Sequence, residues 1–323
     1  MRAAYAVRAD PEQPLRALEV GELAAPDVPA DWVRVTVRAA ALNQHDVWSL
    51  RGVGLAADRL PMILGCDAAG VTADGREVIV HAVVNDPDFV GPDLTADPKR
   101  TLLSELHPGT LAETVAVPAR NLIAKPAELS FAEAACLPTA WLTAYRMVFV
   151  QAGLRPGDTV LVQGAGGGVA TAAVALAAAA GLRVWVTSRD EQRGARAVEL
   201  GAAAAFASGE RLPERVDAVI ESVGAATWSH SVNSLRPGGR LVLCGTTSGD
   251  NPAKAELTKI FFKPLSVIGS TMGTQDELAD LASMLVTTGL RPTIDRVLPL
   301  AEVADGLAAL ADGGVFGKIV VEP

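Results

Sequence analysis

The chain has 323 residues, 50% hydrophobic and 20% charged. That composition is globular, argues against disorder and, at about 150 residues per domain, suggests about two domains. Its 28 Lys and Arg against 37 Asp and Glu leave a net charge of −9, which disfavours broad binding to nucleic acid or an anionic membrane but allows a small anion at a local Arg cluster. Cys66, Cys136 and Cys244 are too scattered for a disulfide framework or a Cys-rich zinc motif and fit a reducing cytoplasm.

The N-terminus turns polar too early for a signal peptide. The first third then reads as β-rich. Residues 33–37, Val-Arg-Val-Thr-Val, alternate with the period of a half-buried strand. Asp74-Gly75 between two apolar runs signals a hairpin, and residues 114–117 form another short strand stopped by Pro118. Ser130 followed by Glu133 is a capping box that opens a helix to about residue 135, and a second amphipathic run follows Pro138 to about residue 151.

Residues 159–182 carry no charged side chain, a length that can cross a bilayer. The glycine cluster and Gln163 within it favour a buried strand, a tight turn and a buried helix of small residues. Strands and helices alternate from there: strands at 159–163, 182–187, 216–220, 240–244 and 265–269, helices at 168–180, 191–200 and 227–235. This alternation predicts a doubly wound parallel sheet. The tail holds a helix over 275–288, a short strand at 296–298 and a terminal strand at 317–321. Its return to a β pattern predicts that it rejoins the first domain.

The strongest local signal is the run Gly164-Ala-Gly166-Gly167-Gly168-Val169-Ala170 between an apolar strand and a small-residue helix. Such a turn lets backbone N–H groups and a helix N-terminus face a pyrophosphate. Val169 breaks the strict G-x-G-x-x-G pattern, and the small positions 164, 167 and 170 fit a more widely spaced variant. An NAD site usually places a carboxylate at the end of the second strand, for the ribose 2′-hydroxyl. Here that strand ends in Ser188-Arg189, with Arg193 one turn later. A hydroxyl and guanidinium groups suit a 2′-phosphate, so NADPH is expected over NADH.

Several stretches in order resemble the medium-chain dehydrogenase/reductase superfamily, more narrowly its zinc-lacking, zeta-crystallin-like quinone oxidoreductase branch. They are Ala40-Ala-Leu-Asn43-Gln-His45-Asp46, Leu64-Gly-Cys66-Asp67-Ala-Ala-Gly70, Gly109-Thr-Leu-Ala-Glu113, Leu137-Pro-Thr139-Ala-Trp-Leu-Thr143, the glycine turn, Glu221-Ser-Val223-Gly224, Leu235-Arg-Pro-Gly-Gly239 and Phe316-Gly-Lys318-Ile-Val320. The resemblance spans essentially the whole chain. It implies an α/β protein: a GroES-like β-rich catalytic domain over 1–124, a Rossmann NADP-binding domain over 125–268 and a C-terminal segment, 269–323, returning to the first. At the positions where zinc-dependent members carry ligands this chain has Asn43, Cys66 and Thr139, a poor set for the ion, so no metal is expected.

The resemblance further implies Asn43, His45 and Thr139 as catalytic candidates. Cofactor contacts are expected from Thr143, Gly164, Gly166, Gly167, Gly168, Val169, Ser188, Arg189, Arg193, Val223, Gly224, Gly245 and Thr246, with Lys318 approaching the pyrophosphate. Asp46 and Asp67 are expected to cap turns, Cys66 to be a small buried residue, and His81, His107 and His230 to be structural. The implied activity is NADPH-dependent, zinc-independent hydride transfer to a quinone or an α,β-unsaturated carbonyl, in a cytoplasmic homodimer without nucleic-acid or membrane partners. A zinc-type alcohol dehydrogenase, an acyl-chain enoyl reductase and a non-catalytic NADPH-binding sensor are the alternatives.

Overall fold

Alternating apolar residues build the first part of the chain. β1 (Arg2–Ala6) pairs antiparallel with β2 (Leu18–Glu22). β3 (Trp32–Ala41) buries Val35 and Val37 while Arg34 and Thr36 face out. α1 (Gln44–Leu50) follows at once, and β4 (Met62–Ile63) completes a three-stranded sheet with β1 and β2. β5 (Asp67–Thr72) and β6 (Glu77–Val80) form the expected hairpin, with Gly75 at φ +86° in its turn. β7 (Val83–Val84) and β8 (Thr101–Leu102) make a small ribbon. β9 (Thr114–Pro118) lies against β3, and β10 (Leu122–Ala124) against β6. The computed structural model describes all of residues 1–323.

α2 (Phe131–Ala135) starts where its capping box predicts. Glu133 Oε2 accepts from Ser130 N at 2.7 Å, and Ser130 Oγ accepts from Glu133 N at 3.2 Å. Such a cap contributes about 1 kcal/mol. The next helical run is wider than an ordinary helix. α3 (Leu142–Tyr145) is flanked by π-helical turns at Leu137–Trp141 and Arg146–Gln151, an arrangement often found at functional sites.

The middle of the chain is a parallel α/β unit. Its elements are β11 (Thr159–Val162), α4 (Gly168–Ala179), β12 (Arg183–Ser188), α5 (Glu191–Glu199), β13 (Ala204–Ala207), β14 (Val216–Glu221), α6 (Trp228–Ser234), β15 (Leu235–Leu243), α7 (Leu257–Phe262) and β16 (Ser266–Gly269). The strand order is β13-β12-β11-β14-β15-β16, every pair parallel. The order reverses between β11 and β14, and open sheets of this kind bind ligands at the strand C-termini there. The uncharged segment 159–182 is thus strand, turn and helix, and no helix of the chain is long and apolar enough to cross a membrane.

The tail contains α8 (Gln275–Thr288), β17 (Ile294–Pro299), α9 (Val303–Ala311) and β18 (Lys318–Glu322). β18 pairs with both β17 and β3, so the sheet β10-β6-β5-β3-β18-β17 is closed by the chain's last strand. The two units are Met1–Leu142 with Met272–Pro323, and Thr143–Thr271. Their borders fall later than the expected 124/125 and 268/269, because α2 packs on β3 and β5 and so stays with the first sheet.

β13, α7 and α9 carried no sequence expectation. β13 is Ala-Ala-Phe-Ala, which lacks the β-branched residues that mark a strand. α9 contains Gly306, an ordinary helix breaker. A Cβ there would lie 2.7 Å from Leu42 Cδ1, so glycine lets the helix sit directly on Leu42.

Candidate active site

β3, β5 and β18 meet at a cluster of buried polar side chains in the first unit. Lys318, only 2% exposed, donates from Nζ to Leu42 O at 2.7 Å, Asn43 Oδ1 at 2.6 Å and Asp67 Oδ2 at 3.0 Å. Asn43 Nδ2 donates to Asp67 Oδ2 at 2.8 Å and to Ala41 O at 3.3 Å. Asp67 is fully buried, and its other oxygen, Oδ1, has no partner. Beside them Asp46 accepts from Asn43 N at 2.8 Å and from Gly65 N at 3.0 Å, fixing the start of α1. Burial raises the Asp46 carboxyl above its usual range, and the neighbouring His45 partly offsets this.

These contacts bear on three expectations. Lys318 is not a free cation reaching for a pyrophosphate, because its three N–H groups are taken by acceptors inside its own unit. Both N–H groups of the Asn43 amide are likewise engaged, so Asn43 organises the cluster and has no donor left for a substrate oxygen. Asp67 caps no turn. It sits in β5 as the counter-ion of Lys318. A Lys leading the apolar run Ile319-Val320-Val321 of the terminal strand was the available sequence signal for this pair.

His45, in the first turn of α1, keeps 22% of its side chain exposed. Its Nε2 lies 3.2 Å from Ser104 Oγ, 3.3 Å from Ser49 Oγ and 3.7 Å from Glu105 Oε1. Ser104 is buried with φ +68° and also touches Cys66 Sγ at 3.5 Å. Burial pushes the Cys66 thiol well up, so it is an inert core group as expected. Thr139 lies in the first π-helical turn with its Oγ1 buried and unpartnered. His81 is buried between Val83 O and Gly273 O, His107 bonds Thr101, and His230 is held by Gln163 and Glu210 O. All three are structural.

Asn43, Cys66 and Thr139 do not fit a zinc ion. The amide is consumed, the thiol is fully buried against Leu103 O at 3.4 Å, and nowhere do three His, Cys, Asp or Glu side chains assemble as a ligand set.

The second unit places the other candidates at its strand ends. Gly164 follows β11 at φ +82°, a conformation that favours glycine. A Cβ there would approach Val223 Cγ2 at 3.3 Å. Gly166 lies within the turn, Gly167 caps α4, and Gly168 and Val169 form its first turn, so backbone N–H groups open outward at the helix N-terminus. Gly224, φ +92°, is pressed so close that a Cβ would lie 2.7 Å from Gly249 O and 2.8 Å from Thr246 Cα. The turns after β11, β14 and β15 therefore converge, bringing Gly164, Val223, Gly224, Gly245 and Thr246 together. Thr187 Oγ1 accepts from Gly164 N at 3.3 Å, which ties the end of β12 to the same turn.

Ser188 Oγ bonds its own turn, donating to Asp190 O at 2.6 Å; Arg189 is exposed, and Arg193 lies in the first turn of α5. Thr143 is buried in α3. Beneath the turns runs a network that sequence reasoning did not assemble. Glu221 accepts from Val223 N, Gly224 N, Thr227 Oγ1 and Ser231 Oγ, and Gln163 Nε2 donates to the same Ser231. Its sequence traces are Gln163 and Glu221, each a polar residue at the end of an apolar strand. The cradle fits a dinucleotide: glycines where side chains would intrude, and a helix N-terminus at the turn.

Two family models match the chain, an alcohol dehydrogenase GroES-like domain over residues 29–127 and a zinc-binding dehydrogenase over 168–287. The chain is 30% identical to a 2-methylene-furan-3-one reductase of Solanum lycopersicum over 93% of its own length and 74% of that protein's. It is 27% identical to a quinone oxidoreductase of Lama guanicoe, covering 95% and 97% of the two chains. It is also 31% identical to the spectinabilin polyketide synthase system protein NorB of Streptomyces orinoci, but spans only 13% of that protein's length. Among solved structures, one described as an NAD-dependent alcohol dehydrogenase superposes over 100% of both chains with a TM-score of 0.93 and 33% identity. The chain belongs to the medium-chain dehydrogenase/reductase superfamily of oxidoreductases, with relatives that include quinone and enone-type reductases.

Proposed function

We propose that the protein is an NADPH-dependent reductase of a quinone or an α,β-unsaturated carbonyl that works without zinc. The observation that carries the cofactor choice is the end of β12, where Ser188 and Arg189 stand in place of a carboxylate. A 2′-phosphate meets no repulsion from that position and finds a guanidinium beside it. The turns after β11, β14 and β15 would hold the pyrophosphate and nicotinamide ends through backbone N–H groups and close glycine contacts. Bound there, NADPH supplies the hydride.

The substrate class follows from what this chain offers in place of a Lewis acid. A simple ketone needs strong polarisation, whereas charge developing on a conjugated oxygen is delocalised and can be met by hydrogen-bond donors. The Lys318 cluster holds Asn43 and the start of α1 rigid, and His45, the partly exposed titratable group of that turn, delivers the proton. Thr139, with its free hydroxyl, is a further donor. Two relatives carry names of this class, the 2-methylene-furan-3-one reductase and the quinone oxidoreductase. Relatives named acryloyl-coenzyme A reductase, from Sulfurisphaera tokodaii and Metallosphaera sedula, motivate testing enoyl thioesters as acceptors as well.

The exposed strand β16 sits at the edge of the six-stranded sheet with Val267 44% exposed, and Phe261 and Phe262 of α7 are exposed as well. An apolar edge of this kind is a pairing surface, and a homodimer joined there is part of the proposal.

The deciding experiment follows NADPH absorbance with a panel of quinones, enones, enoyl thioesters and simple alcohols or ketones, alongside the metal content of the purified protein. Turnover with conjugated acceptors and no stoichiometric zinc is expected. One tightly bound zinc per chain, lost together with activity, defeats the proposal, as does NADPH binding without turnover of any acceptor.

A further inference from the structure

We propose that Glu105 is the positioning partner of His45, and that the pair dictates which imidazole nitrogen exchanges the catalytic proton. The inference rests on His45 as the proton donor proposed above, and it adds the group that aims it.

All the polar neighbours of the ring gather at one atom. Ser104 Oγ at 3.2 Å, Ser49 Oγ at 3.3 Å and Glu105 Oε1 at 3.7 Å all face Nε2, and no protein hydrogen bond falls on Nδ1. A carboxylate only accepts, whereas the hydroxyls adapt to either role. Glu105, at ion-pair and not hydrogen-bond distance, therefore favours the hydrogen on Nε2 through its charge while a serine hydroxyl accepts it, and Nδ1 becomes the nitrogen that gains and loses one. In the reductive step, hydride adds to the conjugated carbon and the displaced electron pair moves toward the carbonyl. The Nδ1–H bond of the imidazolium breaks and its proton joins that pair. His45 is left neutral with its hydrogen on Nε2, and Nδ1 takes a new proton from water.

The surroundings are built to hold this contact. Glu105 is 31% exposed; burial raises its carboxyl and the charge of His45 draws it back down. Gly54, at φ +78°, leaves room for it: a Cβ there would land on the Glu105 carboxylate. Ser104, immediately before Glu105, adopts φ +68° despite its side chain, and its N–H donates to His107 O at 2.7 Å. A non-glycine residue in that conformation at a buried position is held by its contacts, here with His45 and Cys66.

Asp46, next along α1, is a second carboxylate in the field of His45, but its oxygens are engaged by Asn43 N and Gly65 N. Arg51 lies over the Trp48 ring at 4.9 Å. The Cys66 thiol, behind Ser104, is kept protonated by burial. Arg16 on the turn Pro14–Ala17 and Asp305 on α9, the elements packed on α1, form no ion pair with His45.

The test is a ¹⁵N NMR titration of the imidazoles in the full chain, unmodified and as Glu105→Gln and Glu105→Asp, with His45→Gln to assign the signal among the four histidines. In the unmodified protein neutral His45 should show the Nε2–H tautomer. Glu105→Gln should mix the tautomers and lower kcat. Glu105→Asp should restore most of the Nε2–H tautomer and of kcat. An unchanged tautomer in Glu105→Gln overturns the pairing. If His45→Gln keeps full kcat, the proton-donor reading falls instead, whatever the titration shows.

Discussion

Replacing Lys318 with Met separates the structural reading of this residue from the cofactor role its motif suggested. The ammonium is 2% exposed and its partner Asp67 fully buried, at 3.0 Å. The substitution leaves a buried carboxylate whose Oδ1 already has no partner, and it strips Asn43 Oδ1 and Leu42 O of their donor. Removing one member of such a pair destabilises by about 3–5 kcal/mol. In a unit of this size each kcal/mol moves Tm by about 2–4 °C, so a loss of about 6–20 °C is expected by calorimetry. The double variant Lys318→Met/Asp67→Asn removes the stranded charge and should recover more than half of that loss. NADPH affinity of the folded Lys318→Met variant, measured well below its transition, should stay within about threefold of the unmodified protein, because no Lys318 donor is left for a phosphate. A Tm shift below about 2 °C, a double variant no better than the single, or a large loss of NADPH affinity alone would refute this account.

Ser188→Asp should shift preference from NADPH toward NADH by at least tenfold in kcat/KM, since a carboxylate repels the 2′-phosphate and accepts from a 2′-hydroxyl; an unmodified protein that already binds both equally contradicts the premise. Burial pushes the Cys136 and Cys244 thiols up to about 12, against about 8.5 in an unfolded chain. Between those values the unfolded chain binds fewer protons than the native one, so this stability is full at lower pH and is lost as pH rises toward about 12. The urea midpoint should fall between pH 8 and pH 10, and Cys136→Ala/Cys244→Ala should flatten that fall. Ile268→Pro removes a donor from the edge strand β16 and should weaken self-association in light scattering, whereas an unmodified protein that scatters as a ~33 kDa monomer at micromolar concentration excludes edge pairing.

The parallel unit was legible because its signals are local. Apolar strands, the glycine turn and the capping residues each lie within a few residues of one another, and β11, β12 and β14 appear within about a residue of their expected bounds. The capping box at Ser130 likewise gave the start of α2. What stayed hidden depends on residues far apart in the chain. Nothing near Lys318 reveals that its ammonium lies between Asn43 and Asp67, since those partners are 275 and 251 residues away. The motif identified Asn43 and Lys318 as important, without the contacts they make with each other and with Asp67. His45 was found from its residue type, but Glu105 was not, because a carboxylate in a polar loop looks like any solvated charge.

The position of β18 also orders events during synthesis. Residues 143–271 form an uninterrupted stretch, so the parallel unit has all its strands once that stretch has left the ribosome. The first sheet has to wait for the final six residues of the chain. Until Lys318 emerges, Asp67 has no counter-ion and β3 keeps an unpaired flank. Non-local pairing of this kind folds slowly and leaves sticky edges exposed. The half built on the first sheet is therefore the part left exposed during synthesis, and a ribosome stalled just short of Lys318 would present a folded parallel unit on an unfinished sheet.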